Sequence, residues 1–157
     1  MNTLPEAMKV GSCNNTALRK AARRVTRFYD ACMAETGLRG TQYVILNLLA
    51  THGPSTMSAL ADLLAMDRAT IGHNLRPLER DGLVTIQVGR EDRREREVVL
   101  SSLGFSTEAQ CKPYWERAQA RFEEAFGKED ALAMRRILGR VTQLELEIER
   151  AESAGRV

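Results

Sequence analysis

The chain has 157 residues, 43% hydrophobic and 28% charged, a balance that suits one compact domain with an appended helical element and excludes disorder by composition. Net charge is only +2 and aromatics are 5%, so the core must be built from Leu, Ile, Val, Ala and Met. The longest apolar run, Tyr43-Val-Ile-Leu, breaks at Asn47, far short of the roughly 20 residues of a spanning helix. No charged segment followed by an apolar one occurs near Met1, so a soluble cytoplasmic protein with no membrane partner is expected.

After a polar arm, Leu18, Ala22, Val25, Tyr29 and Cys32 recur at helical spacing, which predicts a first helix ending at Gly37. Thr41 is the expected N-cap of a second helix, which runs to the breaker His52-Gly53-Pro54. A short third helix starts at Ser55 or Thr56 and carries Met57, Leu60, Leu63 and Leu64. Asp67 caps a fourth, whose inward stripe is Ile71, Leu75 and Leu78. Ala69, His73, Arg76 and Arg80 fall on its opposite face. Pro77 should bend its last turn before Asp81-Gly82 ends it.

From Leu83 the period becomes two: Val84, Ile86 and Val88 alternate with Thr85 and Gln87, and Glu97 to Leu100 return. Between them Gly89 to Arg96 form an eight-residue charged loop, so a hairpin with an arginine-rich tip is expected. A long helix follows from Leu103 to Phe126, interrupted or bent near Pro113. Beyond Gly127, Met134, Ile137, Val141, Leu144 and Ile148 step by 3, 4, 3 and 4. That is a heptad seam, which packs either on the preceding helix or on a second copy of the chain. The fold class expected is mainly α with a small β-hairpin wing, a winged helix-turn-helix with N- and C-terminal dimerisation helices. Residues 1–36 and 103–157 would flank a DNA-binding lobe at 37–102.

Positive charge comes from 19 Arg against 4 Lys. Arginine suits phosphate and guanine, and a GC-rich genome gives the same bias. Arg19, Lys20, Arg23, Arg24 and Arg27 crowd the first helix, and Arg90, Arg93, Arg94 and Arg96 crowd the hairpin. Either group reads as a DNA-facing patch or a solvated face. In a winged helix-turn-helix the fourth helix enters a major groove and the wing reaches the backbone or minor groove.

Three segments carry a resemblance to the MarR-type transcriptional regulators. Asp92-Arg-Arg94 followed by Leu100-Ser101 is similar to that family's wing signature. Leu60-Ala-Asp-Leu-Leu-Ala-Met-Asp-Arg-Ala-Thr-Ile71 resembles its turn into the recognition helix, and Asn74-Leu-Arg-Pro-Leu-Glu-Arg-Asp-Gly-Leu-Val84 resembles one branch of it. The likeness runs from about Cys13 to Glu149. It implies a homodimer on an inverted-repeat duplex, a repressor released by a small molecule, and a small aromatic effector, an aromatic acid by the resemblance. By this resemblance Arg94 enters the minor groove, with Arg90 and Arg93 beside it, and Asp92 holds the wing arginines. Arg68, Thr70, His73, Asn74 and Arg76 would reach bases or phosphates. His73 stands where that branch commonly has Arg, and histidine is a weaker, pH-dependent donor.

Cys13 precedes Asn14-Asn15-Thr16, the expected N-cap residues, and a helix N-terminus favours a thiolate. Organic-peroxide sensors of the same family use a cysteine near this place, so redox sensing through Cys13 is the alternative. Cys32 and Cys111 are expected to pack, with Cys111 also a candidate intersubunit partner. Tyr43 and Trp115 are expected to pack or to line an effector pocket. No catalytic signature is present, with neither a nucleophile elbow, a P-loop, a dinucleotide fingerprint nor a zincin motif in the chain, so no enzyme is expected. The acids among the wing arginines keep open a winged-helix protein-interaction module without DNA binding.

Overall fold

The structure, a computed structural model, describes residues 13–90 and 92–144. The N-terminal arm, Glu91 in the wing and Ile148 of the heptad seam lie outside the described residues. The order is α1 (Asn14–Met33), a 3-10 turn (Ala34–Thr36), α2 (Gly40–His52), β1 (Ser55–Thr56), α3 (Met57–Leu63), α4 (Arg68–Arg80), β2 (Val84–Val88), β3 (Arg96–Leu100), α5 (Ser102–Phe126) and α6 (Lys128–Thr142). Helices with a small three-stranded antiparallel sheet match the class expected.

The differences from sequence expectation have local causes. Cys13 itself is the N-cap residue of α1, ahead of the Asn14-Asn15-Thr16 run. α2 starts at Gly40, one residue before Thr41, because its first donors find acceptors elsewhere. Gly40 N–H donates to Asp30 Oδ1 at 2.8 Å, and Arg39 N–H donates to Gln42 Oε1 at 2.9 Å. Ser55 and Thr56 pair with Val98 and Glu97 before α3 begins, so the expected hairpin is a three-stranded sheet of order β1-β3-β2. Val88 pairs with Arg96, which leaves Gly89 to Glu95 as the wing loop. α4 and α5 both run through their prolines, Pro77 and Pro113. The carbonyls each proline leaves unbonded belong to His73 and Ala109, both exposed, so water can satisfy them.

The described residues fall into two compact units, dividing between Arg121 and Phe122. In the first, Met33, Tyr43, Ile45, Leu46, Leu49, Leu60, Ile71, Leu75, Leu78, Val84 and Val98 are fully buried, each contributing roughly 1.5–3 kcal/mol of burial. Glu108 of α5 is buried among them, accepting from Tyr43 Oη at 3.2 Å and Asn47 Nδ2 at 3.0 Å. In the second, Arg135 Nη1 pairs with Glu123 Oε1 at 2.9 Å, while Leu132, Ile137 and Val141 of α6 and the following Leu144 are exposed.

The first turn of α5 is set by a close approach that only glycine permits. A Cβ on Gly104 would lie 2.1 Å from the Leu83 carbonyl oxygen and 2.6 Å from Leu100 Cδ1. Gly104→Ala should therefore lower stability by about 1–3 kcal/mol, read as a fall in the urea midpoint. An unchanged midpoint would mean that the helix start shifts freely.

Candidate nucleic-acid interface

α4 is built for one orientation. Asp67 Oδ1 accepts the Thr70 N–H at 2.6 Å, capping the helix, and these bonds to Thr70 hold its carboxyl below the usual value. Ile71, Leu75 and Leu78 face the core, which leaves Arg68, Ala69, Thr70, His73, Arg76 and Arg80 exposed. The turn from α3 to α4 passes through Ala65 at φ 50°, the one non-glycine residue with positive φ among those described, and is closed by Met66 N–H to Ala61 O at 2.8 Å.

The expected contact residues are not equally available. The Asn74 amide donates to the Thr70 carbonyl at 2.9 Å, Arg68 Nη2 donates to Ser58 Oγ at 3.1 Å, and Arg80 pairs with Asp81 at 2.8 Å. The side chains of His73 and Arg76 have no partner among the described residues, and are exposed, whereas the exposed Thr70 hydroxyl bonds the Asp67 carboxylate.

The wing loop is held by its own backbone. Gly89 N–H donates to Glu95 O at 2.9 Å, Glu95 N–H to Asp92 O at 3.1 Å, and Arg94 N–H to Asp92 Oδ1 at 2.8 Å. Asp92 thus shapes the loop through a main-chain donor, and no guanidinium pairs with its carboxylate among the described residues. Arg90 lies 3.9 Å from Glu97 Oε2, a loose pairing, and Arg93 and Arg94 are exposed. Gly89 is required here, since a Cβ would sit 2.5 Å from the Asp92 carbonyl oxygen. Ser58, which sequence reasoning did not assign, and Arg96 of the hairpin patch meet the start of α4, with Glu95 beside them. Ser58 and Arg96 join Arg68 and Arg94 around a cavity of about 130 Å³, and only the tertiary fold brings β3 to the start of α4. The basic residues of α1, from Arg19 to Arg27, are also exposed.

A second cavity, of about 300 Å³, is apolar and partly open. It is walled by α1 (Val25, Thr26, Tyr29, Asp30), the start of α2 (Gly40, Thr41, Val44), Leu64 and Met66 of the α3–α4 turn, and Trp115 of α5. Trp115 therefore lines a pocket, whereas Tyr43 is core, stacked 5.1 Å behind it.

Among the cysteines, Cys111 is buried, and burial pushes its thiol up; that removes it as a surface partner for Cys13. Cys32 is half-buried, with Arg121 Nη1 3.6 Å from its sulfur, rather than core. Cys13 is exposed at the start of α1, where the Thr16 hydroxyl and N–H draw its thiol below the usual value.

A helix-turn-helix with a three-stranded wing and an exposed basic face defines the winged-helix DNA-binding class. A family model described as MarR family matches residues 36–95. The transcriptional repressor NicR of Pseudomonas putida is 34% identical over 87 residues, 55% of each chain. The organic hydroperoxide resistance transcriptional regulator of Bacillus subtilis is 30% identical over 81 residues, 52% of this chain and 54% of that one. The matched stretch thus spans little more than half of these curated relatives. Among solved structures, the M. tuberculosis transcriptional regulator MosR in complex with DNA is 31% identical, with a TM-score of 0.74 over 83% of this chain and 94% of that one. The chain belongs to the MarR family of winged-helix transcriptional regulators, and its relatives are regulators, not enzymes.

Alkylation of Cys13, followed by peptide mapping against pH, should show a lower midpoint in the native protein than in the urea-unfolded chain. Thr16→Val should move the native midpoint upward. Coincident native and unfolded curves would mean that the helix start does not activate this thiol.

Proposed function

We propose that the protein is a dimeric, sequence-specific DNA-binding repressor, acting in the cytoplasm and released by a small aromatic effector. The observation that carries this reading is the exposed row of Thr70, His73 and Arg76 on α4, the last two unpartnered among the described residues, with the wing residue Arg94 beside Arg68 at the start of that helix. On this reading α4 lies in the major groove and Arg94 enters the minor groove, where negative potential attracts it. Arg68, held by Ser58, and Arg90 contact the backbone, and Asn74 adds a base contact by releasing its bond to Thr70. The bland alternative, a solvated wing paired to its own acids, is disfavoured because the one wing ion pair among the described residues is the 3.9 Å Arg90–Glu97 contact.

The dimer rests on the exposed apolar residues of the second unit, Leu132, Ile137, Val141 and Leu144, which a lone chain would leave in water. Residues 1–36 and 103–157 then serve dimerisation, and 37–102 form the reading lobe. Two α4 helices about 34–36 Å apart would match successive major grooves. An effector in the 300 Å³ pocket would favour a spacing that no longer fits. The repressor sign follows the name of NicR. No helix among the described residues is long and apolar enough to cross a membrane.

Binding selection on a random duplex library tests the reading directly: an inverted repeat should be enriched, and enrichment of nothing would favour the protein-interaction module. With that duplex, Arg94→Ala should weaken binding across sequences and reduce the slope of log K against log salt by about one unit. Arg76→Ala should instead alter discrimination at particular base pairs, typically by about 1–3 kcal/mol. Identical selection profiles for the two variants would remove Arg76 from base reading.

A second reading has its own observation, the exposed and activated Cys13 thiol, together with the likeness to the organic hydroperoxide resistance regulator. Here the thiolate attacks the terminal oxygen of a hydroperoxide, giving a sulfenic acid and an alcohol. Peroxide should then abolish duplex binding by the native protein and spare Cys13→Ser. A native protein indifferent to peroxide would eliminate this mechanism.

A further inference from the structure

We propose that the pocket walled by α1, α2 and Trp115 selects an aromatic cation, a small ring system carrying an ammonium-type group, in preference to an aromatic acid. The proposal rests on the reading of this pocket as the effector site and adds the charge of its ligand.

The walls determine the size and polarity of what fits. A volume of about 300 Å³ lies at the small end of ligand pockets, which span roughly 300–1,000 Å³, and suits one or two rings. Val25, Val44, Leu64 and Met66 supply aliphatic and thioether surface. Tyr29 and Trp115 add aromatic wall, the two rings packed on each other with centroids 4.8 Å apart and Trp115 backed by Tyr43 at 5.1 Å.

Charge decides the class. Among the described residues no Arg, Lys or His lines the pocket, and its one carboxylate is Asp30. One Asp30 oxygen accepts the Gly40 N–H at 2.8 Å. The other takes no hydrogen bond among the described residues, so it is available to an ammonium N–H. A ligand carboxylate would meet the opposite situation. It would lose water in an apolar pocket, find no cationic partner, and lie near a second carboxylate.

The same residues connect the ligand to the reading helix. Asp30 caps α2, while Leu64 and Met66 form the turn that leads into α4. A cation drawn to Asp30 therefore presses its ring against the segment that sets where α4 begins.

Trp115 is the single tryptophan of the chain, so its fluorescence reports occupancy without a label. The probes are a matched series: 4-tert-butylbenzylamine as the cation, 4-tert-butylbenzyl alcohol as the neutral form, and 4-tert-butylbenzoate as the anion. The amine should quench saturably and bind about tenfold or more tighter than the alcohol, with the benzoate weakest. Asp30→Asn keeps an oxygen for Gly40 N–H, so helical circular dichroism and alcohol binding should persist while the amine's advantage disappears. The proposal is overturned if the benzoate binds as well as the amine, if the amine's advantage survives Asp30→Asn, or if no member of the series quenches. The native ranking decides the matter even where the variant does not fold. Amine binding that depends on Asp30 but leaves duplex affinity unchanged would keep the cation site and remove its role as effector site. Loss of duplex affinity on binding the alcohol or the benzoate, with no preference for the amine, would keep the effector site and overturn the selection of a cation.

Discussion

Burial of Ile71, Leu75 and Leu78 against the core is the constraint on which the DNA-facing surface depends. With three positions on one side of a helix fully buried, rotation about the helix axis is closed, and the remaining positions point outward by geometry alone. Thr70, His73 and Arg76 are exposed for that reason. The same burial fixes the start of the helix, where Asp67 supplies the cap. Loss of one buried leucine here would cost roughly 2–5 kcal/mol, and would also loosen the angle at which the outward face is presented.

A polar lock works beside this stripe. Glu108 on α5 accepts from both Tyr43 and Asn47 on α2. Burial, followed by the nearby Glu108 charge, drives the Tyr43 hydroxyl well above its ordinary value, so it remains a donor. An apolar contact would tolerate a shift of register between the two helices, whereas a buried carboxylate with two specific donors does not. The lock joins the start of the long α5 to α2, which Asp30 caps from α1. Three helices are thus tied by two carboxylates, and the apolar pocket opens beside one of them.

The wing shows how a charged loop can be shaped by main-chain hydrogen bonds, with one loose Arg90–Glu97 pairing among the described residues. Asp92 bonds the Arg94 main chain and Gly89 allows the Asp92 carbonyl to approach. The loop is closed by backbone donors, and among the described residues the guanidinium groups of Arg93 and Arg94 take no part in building it. Arginines used for structure would have to break those contacts to meet a phosphate; these do not.

Much of this was legible in residue order. The 3.6-residue spacing of Ile71, Leu75 and Leu78, the Asp67 cap, the breaker at His52-Gly53-Pro54 and the alternation of Val84, Ile86 and Val88 are local signals. Each acts within a few residues of the chain, so spacing alone identifies helix, cap, turn and strand. The third strand, the Asp30 cap on Gly40, the close approach at Gly104, and the meeting of Ser58 with Arg68 and Arg96 were not legible. Each joins residues that are neighbours only after folding. The same holds for availability: Asn74 sits on the exposed side by spacing, yet its amide is turned onto Thr70. The sequence by itself determined the elements, the inward stripe of α4 and the basic character of helix and wing, because these follow from periodicity and side-chain chemistry; it also pointed Leu18, Leu63 and Val88 inward, and the structure leaves them exposed. Only the tertiary structure decided which of those side chains remain free to bind and where a partly open pocket forms that has, among the described residues, one carboxylate and no cation, because partners and cavities are made by contacts between distant segments.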